Sequence, residues 1–223
     1  MAERFGRDNR IALVRGDCPE YLLVLPADMR ELDGADRQAE LVAERTHAPF
    51  TLVELGIADW NAELSPWEAP PVFGRQGFGS GAAQTLSYIS DQLVPGIVDR
   101  CDLASDIPVI LGGYSLAGLF ALWSAFRTDR FAAIVAASPS VWFPGWIELA
   151  ATREPLAQCI YLSLGDREEK AKNPVMARVG ECIRRQHRLL EDQGVDTVLE
   201  WNPGNHFKDP DVRLAKGFAW CMG

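Results

Sequence analysis

The stretch VILGGYSLAGLFALW, residues 109–123, constrains the fold more than any other part of the chain. An apolar run typical of a buried strand ends at two glycines, and an apolar helix pattern begins directly after Ser115. Small residues at Gly113, Ala117 and Gly118 allow two backbone segments to pass close to each other in a tight turn. The stretch therefore predicts a strand–turn–helix unit that presents the Ser115 hydroxyl at the carboxyl end of a buried strand.

Short β-rich runs alternate with helical patterns along the rest of the chain. Runs typical of strands lie at 11–14, 21–25, 50–55, 107–111, 131–137, 159–164 and 197–201. Patterns typical of helices lie at 31–45, 116–126, 174–193 and 212–221, the third with Asn173 as its N-cap and Gly194 at its end. Several strands are continuous apolar runs, which indicates burial on both faces of a parallel sheet. The sequence predicts one α/β domain over residues 1–223, with a mostly parallel central sheet flanked by helices.

The segment 56–82 differs from this alternation. Aromatic, proline and glycine residues are dense there, at Trp60, Pro66, Trp67, Pro70, Pro71, Gly74, Gly77, Gly79 and Gly81. A long irregular segment inside a compact domain is usually functional or disordered, and the aromatic residues argue against disorder. We expect this segment to be a long loop that covers a pocket.

The composition of the chain indicates which kinds of binding partner and which cellular compartment to expect. The net charge of −9 argues against nucleic acid or an anionic membrane surface as the main partner, because both favour a positive protein face. The five cysteines are widely spaced and form no CxxC pair, which favours free thiols in a reducing compartment. The charged start of the chain lacks the apolar core of a secretory signal, and no apolar run is long enough to cross a bilayer. We expect a cytoplasmic protein.

The turn at Ser115 has the pattern of a nucleophile. Residues 113–117, GYSLA, match the G-x-S-x-G elbow with alanine in the last place, between an apolar strand and an apolar helix as that motif requires. The helix that begins there directs free N–H groups and its positive dipole end at the turn. The N–H of Leu116 is then positioned to bind the oxyanion of an acyl intermediate.

A serine hydroxyl needs a base, and the chain has three histidines. His47 precedes Ala48-Pro49 in a predicted surface turn, and His187 lies among arginines in the predicted long helix. His206 lies in WNPGNHFKDP, a loop directly after the last apolar strand, where a catalytic histidine is expected in this chain order. We therefore predict His206 as the base.

A carboxylate is needed to orient that imidazole, and the run YLSLGDREEK supplies three candidates. The strand ends at Leu164, and Gly165 opens a loop that contains Asp166, Glu168 and Glu169. Glu168 is the preferred acid, Asp166 is second, and the choice among the three stays open at this stage. The residues thus indicate a Ser–His–acid hydrolase in which no metal takes part, since the three histidines form no ligand cluster.

These motifs resemble the α/β-hydrolase superfamily and, within it, the esterase group that contains esterase D-like, enterochelin esterase-like and mycolyl-transferase-like proteins. The matching pieces are GGYSLAGLFALW, AASPSVWF, LSLGDREE and GNHF, which extend from the centre of the chain to its C-terminal part. The resemblance implies hydrolysis of small-molecule carboxylic esters, or acyl transfer, without a cofactor. A chain this short for the superfamily also implies that no large cap domain is present.

The resemblance is weaker before the elbow. YLLVLP is similar to the strand that precedes the oxyanion loop, but Pro26-Ala27-Asp28 replaces the family's His-Gly or Asp-Gly. Pro26 has no N–H to donate, so the second oxyanion donor is expected at Ala27 or Asp28, with Ala27 preferred.

Two stretches that follow strands are expected to line the substrate pocket. They supply Trp60 and Asn61 from DWNAELSPW, and Ser140 and Trp142 from SPSVWF, with Trp67 and Trp146 as further candidates for an apolar or sugar-like site. An acyltransferase or peptidase with the same triad, or a binding protein on this fold, stays open as an alternative function. The sequence also leaves open whether the chain forms a homodimer.

Overall fold

A computed structural model describes residues 1–72 and 74–223 and shows an eight-stranded sheet within them. The strand order is β1-β2-β4-β3-β5-β6-β7-β8. The β1–β2 and β2–β4 pairs are antiparallel, and every pair from β4 through β3 to β8 is parallel. The strands are β1 (Glu3–Phe5), β2 (Ile11–Val14), β3 (Tyr21–Asp28), β4 (Phe50–Ile57), β5 (Val109–Tyr114), β6 (Ala133–Ala137), β7 (Cys159–Gly165) and β8 (Asp196–Asn202).

Helices cover both faces of this sheet. They are α1 (Ala35–Ala43), α2 (Trp60–Leu64), α3 (Ala82–Tyr88), α4 (Val94–Arg100), α5 (Leu116–Ala125), α6 (Trp146–Ala150), α7 (Val179–Asp192) and α8 (Pro210–Cys221). Helices α1 and α8 pack together on one face of the sheet. Helices α5 and α7 lie on the other face, together with a helical segment in which a π-helical turn at Ile89–Leu93 joins α3 to α4. The predicted α/β fold with a mostly parallel sheet flanked by helices is confirmed.

The continuous apolar runs do form the centre of the sheet. Every residue of β6 is buried, and β5 is buried up to Gly113, because helices cover both faces there. Parallel strands buried on both faces direct their carboxyl ends to one edge, where the functional side chains of such sheets collect.

The long helix predicted at 174–193 begins later than expected. Asn173 does accept hydrogen bonds, from the N–H groups of Val175 and Met176 at 3.0 and 3.3 Å, but it caps a single 3-10 turn at Met176–Arg178. The α-helix proper begins at Val179. The structure also contains β1, α2 and α6, elements of three to five residues for which the sequence pattern gives no prediction.

The segment 56–82 is partly regular. Strand β4 continues to Ile57, and α2 follows, with the Asp59 carboxylate accepting the N–H of Ala62 at 3.0 Å as its N-cap. The N–H of Gly81 donates to the carbonyl of Ala62 at 2.8 Å, and a Cβ at Gly81 would lie 2.6 Å from that oxygen. Glycine therefore lets the end of the segment return against α2.

Within residues 1–72 and 74–223, no helix combines the length and the apolar character that a bilayer span requires.

Candidate active site

Ser115 has a strained backbone at the junction of β5 and α5. Its φ and ψ are 58° and −118°, a conformation that non-glycine residues avoid and that concentrates at functional sites. Two hydrogen bonds hold it: its N–H donates to Ala137 at 3.1 Å, and its carbonyl accepts from Ser140 at 2.9 Å. A Cβ at Gly113 would lie 2.1 Å from the carbonyl oxygen of Ala117, so the turn closes only with glycine there.

His206 lies beside this serine. Its Nε2 is 3.0 Å from the Ser115 Oγ, and its side chain is 24% exposed. The loop that carries it is fixed on two sides: the Tyr114 hydroxyl donates to the His206 carbonyl at 2.6 Å, and the Gly204 N–H donates to Asp166 at 2.8 Å. Strand β5 and the loop after β7 therefore both position the imidazole.

Glu168 lies on the other side of the imidazole, with its Oε2 2.7 Å from His206 Nδ1. Its Oε1 accepts hydrogen bonds from Ser138 Oγ at 2.7 Å and from the Gly165 N–H at 2.8 Å. Burial of this residue, 6% exposed, acts to raise its pKa. The hydrogen bonds and the charge of His206 outweigh burial, so the pKa of Glu168 is lowered and the carboxylate stays ionised.

The other two acids of the loop contact different groups. Asp166 binds the Gly204 N–H, and its own N–H donates to the carbonyl of Asn202 at 2.8 Å. Glu169 pairs with Arg184 at 3.0 Å in a partly exposed contact. The structure therefore brings together Ser115, His206 and Glu168, the three residues preferred from sequence.

Arg213 is a part of this site that sequence reasoning missed. It is 1% exposed, and its Nη1 lies 2.7 Å from Glu168 Oε1 and 2.8 Å from Ser138 Oγ. Its Nη2 donates to the carbonyl of Asn205 at 2.9 Å, in the loop that carries His206. The available signal was a lone charge within the apolar side of the C-terminal helix, which predicts a buried and paired side chain.

An open cleft of about 880 Å³ leads to these residues. Its lining includes Ser115, His206, Ala27, Trp60 and Asn61. Phe207, 84% exposed, stands at its mouth next to the imidazole. Trp60 and Asn61 thus lie in the pocket wall, as expected, and the segment 56–82 that contains them forms part of that wall.

Ser140 and Trp142 are placed differently from the prediction. They are 3% and 9% exposed, and neither belongs to the lining of this cleft. Trp142 packs edge-to-face against Phe78, and Ser140 acts through its N–H on the carbonyl of Ser115. Trp146 is fully buried and donates its indole N–H to Gln186 at 2.8 Å. Ser140 therefore supports the elbow through its backbone, while Trp142 and Trp146 pack in the core.

Comparison with known proteins identifies the family and the fold of this chain. The model of the family described as "Putative esterase" matches residues 18–207. A search of curated proteins finds no match. Among solved structures, an IroE-like serine hydrolase from Shewanella oneidensis has a TM-score of 0.76 at 19% identity, covering 94% of this chain and 74% of its own.

Two further structures have the same fold. The siderophore hydrolase EstB from Aspergillus nidulans has a TM-score of 0.71 at 18% identity, with 98% of this chain and 93% of its own covered. The enterobactin hydrolase IroE in complex with DFP has a TM-score of 0.67 at 17% identity, with 100% and 94% covered. The family model spans most of the chain, so this protein belongs to the putative esterase family, carboxylic ester hydrolases on the α/β-hydrolase fold.

Proposed function

We propose that the protein cleaves small-molecule carboxylic esters through an acyl-enzyme on Ser115, with His206 as general base and Glu168 as its orienting acid. The observation that carries the proposal is the continuous chain of hydrogen-bonding distances from Ser115 Oγ to Nε2, 3.0 Å, and from Nδ1 to the carboxylate, 2.7 Å. A buried carboxylate that accepts the Nδ1 proton leaves the Nε2 lone pair directed at the hydroxyl.

The steps follow from that tautomer. His206 Nε2 takes the Ser115 proton as the oxygen attacks the ester carbonyl, and the imidazolium is stabilised by ionised Glu168. His206 then returns the proton to the leaving alcohol as the carbon–oxygen bond breaks. Water then enters and gives a proton to Nε2 as its oxygen attacks the acyl carbon. The bond between that carbon and the Ser115 Oγ breaks, and Oγ takes the proton back from Nε2, so that the acid is released and the serine is regenerated. The cycle uses no cofactor.

Backbone alternation bears on the oxyanion donors. Leu116 supplies one N–H at the start of α5. The Leu22 N–H of β3 donates to Pro108, directly before β5, and the N–H of Met29, directly after β3, donates to Ile57 of β4. Because alternate residues face opposite neighbours, the Ala27 N–H is directed at β4 and the Asp28 N–H at the open β5 side. This supports Asp28 rather than the preferred Ala27 as the second donor.

The cleft supports a substrate with an apolar part. Trp60 and Phe207 flank its mouth, and aromatic surfaces of this kind bind acyl chains or rings. Two of the structural neighbours are hydrolases of siderophores, so a siderophore with ester linkages is the first natural substrate to test.

The decisive experiment uses a fluorophosphonate probe and p-nitrophenyl esters of increasing chain length. We expect labelling of the native protein and none of the Ser115→Ala variant. Glu168→Gln is expected to lower kcat by about 10²–10⁴-fold, since a neutral amide no longer stabilises the imidazolium. An unlabelled native protein would refute the proposal and leave a binding role on this fold. Ester exchange with an added alcohol would identify an acyltransferase, and cleavage of peptides in preference to esters would identify a peptidase.

The setting of the enzyme stays a prediction. A cytoplasmic location rests on the free cysteines, and formation of a homodimer is open to measurement by sedimentation.

A further inference from the structure

Strand β4 contains a buried acid that the mechanism above does not use. Glu54 is 4% exposed and interrupts the apolar run TLVELGI. Among residues 1–72 and 74–223, the structure contains no hydrogen bond to its carboxyl group. The fully enclosed side-chain atoms that lack a partner do not include its oxygens, so these oxygens keep access to the cleft that the residue lines. A residue as buried as this is normally paired or hydrogen-bonded, so a carboxyl group without a partner in the chain requires an explanation.

The Glu54 carboxyl faces the active-site cleft. Glu54 is directly opposite Leu25 of β3, and both residues line the cleft that contains Ser115 and His206. Gln38 of α1 and Leu214 of α8 line the same part. The cleft therefore extends from the nucleophile, beneath the carboxyl end of β3, to Glu54.

Strand register sets the length of that path. Leu23 pairs with Ile110 and Val24 with Leu111, so Leu25 is level with Gly112, three residues before Ser115. With two strand spacings across and three residues along, the Cα atoms of Glu54 and Ser115 are about 14 Å apart. A group bound at Glu54 is thus remote from the scissile ester but within reach of a medium-length substituent.

The charges around Glu54 leave it uncompensated. The charge of Arg4 acts on it, but that guanidinium pairs with Asp33 at 2.5 Å. Arg37, which lines the same cleft, pairs with Glu40 at 3.4 Å, and Glu31 adds a further negative charge. Arg30 also lines the cleft but pairs with Asp28 at 2.6 Å, and Arg75 lines it without being among the charges that act on Glu54. The cations near Glu54 therefore leave its carboxyl group without an ion pair in the described part of the chain.

We propose that Glu54 is a specificity determinant that binds the ammonium group of an amine-bearing ester at the end of the cleft remote from Ser115. This rests on the proposed esterase function and names its substrate class. An ammonium supplies both the hydrogen-bond donors and the positive charge that the carboxyl group lacks, and the remaining cleft wall accommodates the alkyl part.

Protonation gives the proposal a measurable signature. Burial raises the pKa of Glu54 to about 8, with Arg4 lowering it and Glu31 raising it to smaller extents. The empty site therefore holds a protonated acid at pH 7, and an entering cation displaces that proton. Binding should release protons and strengthen between pH 6.5 and 8.5.

The test uses n-hexylammonium and 1-hexanol as probes of the Ser115→Ala protein, so that the outcome does not depend on hydrolysis. Calorimetry at pH 7.5 in two buffers of different ionisation enthalpy is expected to show hexylammonium binding at least tenfold tighter than hexanol, with proton release. In the Ser115→Ala protein that also carries Glu54→Gln, hexylammonium should bind no more tightly than hexanol, and binding should release no protons. Glu148→Gln, which removes an exposed acid of α6 that does not line this cleft, should retain both the preference for hexylammonium and the proton release.

Kinetics of the native enzyme form the second arm. The ratio of kcat/KM for p-nitrophenyl 6-aminohexanoate to that for p-nitrophenyl heptanoate compares chains of equal length on one sample. We expect a ratio above ten that falls toward one in Glu54→Gln. Equal binding of amine and alcohol, or a preference that survives Glu54→Gln, would overturn the inference while esterase activity stands. If the native protein hydrolyses neither ester, the result counts against the esterase function. The calorimetry would then still show whether Glu54 binds an ammonium group.

Discussion

Replacement of Arg213 by methionine is the sharpest test of how the site is held together. The substitution retains most of the aliphatic length on α8 but removes the guanidinium that contacts Glu168, Ser138 and the Asn205 carbonyl. Glu168 then remains buried, and its Oε1 no longer has a cationic partner. The loop that carries His206 also loses its anchor to α8.

The size of the effect follows from burial. Both side chains of the Arg213–Glu168 pair are almost inaccessible, at 2% and 4% exposure. Breaking such a pair by removing one partner costs about 3–5 kcal/mol, because an uncompensated charge is left in a poor solvent. For a chain of this length each kcal/mol shifts the Tm by about 2–4 °C, so Arg213→Met should unfold about 6–20 °C earlier.

Activity should change as well as stability. The pKa of Glu168 is lowered in the folded protein, so its stabilising contribution is present above the unfolded value and is lost as the pH falls through the folded one. Removing a positive charge that lies 2.7 Å from Glu168 favours the protonated carboxyl group, which no longer stabilises the imidazolium of His206. The acidic limb of the kcat/KM profile should therefore move to higher pH. A purely structural role of the arginine would lower the Tm without moving that limb.

Lys216→Met on the same helix is the matched control. Lys216 pairs with Glu200 in a contact where both side chains are about a third exposed, and solvent screening limits such pairs to about 0–1 kcal/mol. Thermal unfolding and pH–rate profiles of both variants decide the matter. If Arg213→Met unfolds no earlier than Lys216→Met and its acidic limb coincides with that of the native enzyme, the reasoning is wrong.

Three further variants probe the surrounding geometry. Gly113→Ala should prevent closure of the turn and abolish labelling by a fluorophosphonate, whereas Gly34→Ala, where a Cβ meets nothing within 4 Å, should change Tm by only a few degrees. Asp166→Asn should lower kcat modestly, by about tenfold, because it weakens the contact with Gly204 but leaves the triad intact; a loss as large as that of the acid variant would reassign the triad. Tyr114→Phe removes one hydrogen bond to the histidine loop and should cost about 1 kcal/mol in thermal unfolding, with little change in chain fold by circular dichroism.

Much of the sheet could be predicted from the sequence because burial on both faces leaves an unambiguous pattern. The continuous apolar runs of β5 and β6, and the glycine-flanked serine between β5 and α5, admit few alternatives. The last strand, β8, was equally predictable because a glycine ends the helix before it. Short elements such as β1 and α6 lack this redundancy, and tertiary contacts alone define them.

The limits of prediction at the site are of a different kind. Asp166 and Glu168 differ by two positions in one loop, and the sequence favours Glu168 as the triad acid without deciding which carboxylate turns inward. The 3-10 turn at Glu168–Lys170 decides it, since it directs Glu168 at Ser138 while Asp166 remains with Gly204. Trp142 was misplaced for a similar reason: a tryptophan after a strand can face the pocket or the core, and only packing determines which.

Glu54 and Arg213 show what a single charged residue in an apolar run predicts, namely a buried side chain that needs a partner. Each interrupts a pattern of buried residues, and each is less than 5% exposed, so both violate the ordinary rule for charged side chains. Arg213 resolves the violation within the chain, through five hydrogen-bonding contacts. Glu54 has no such resolution among the described residues, and its carboxyl opens onto the cleft of an ester hydrolase. Burying either charged side chain costs free energy. Arg213 offsets that cost with contacts inside the chain, whereas Glu54 does not, and binding of a ligand would explain why Glu54 is present.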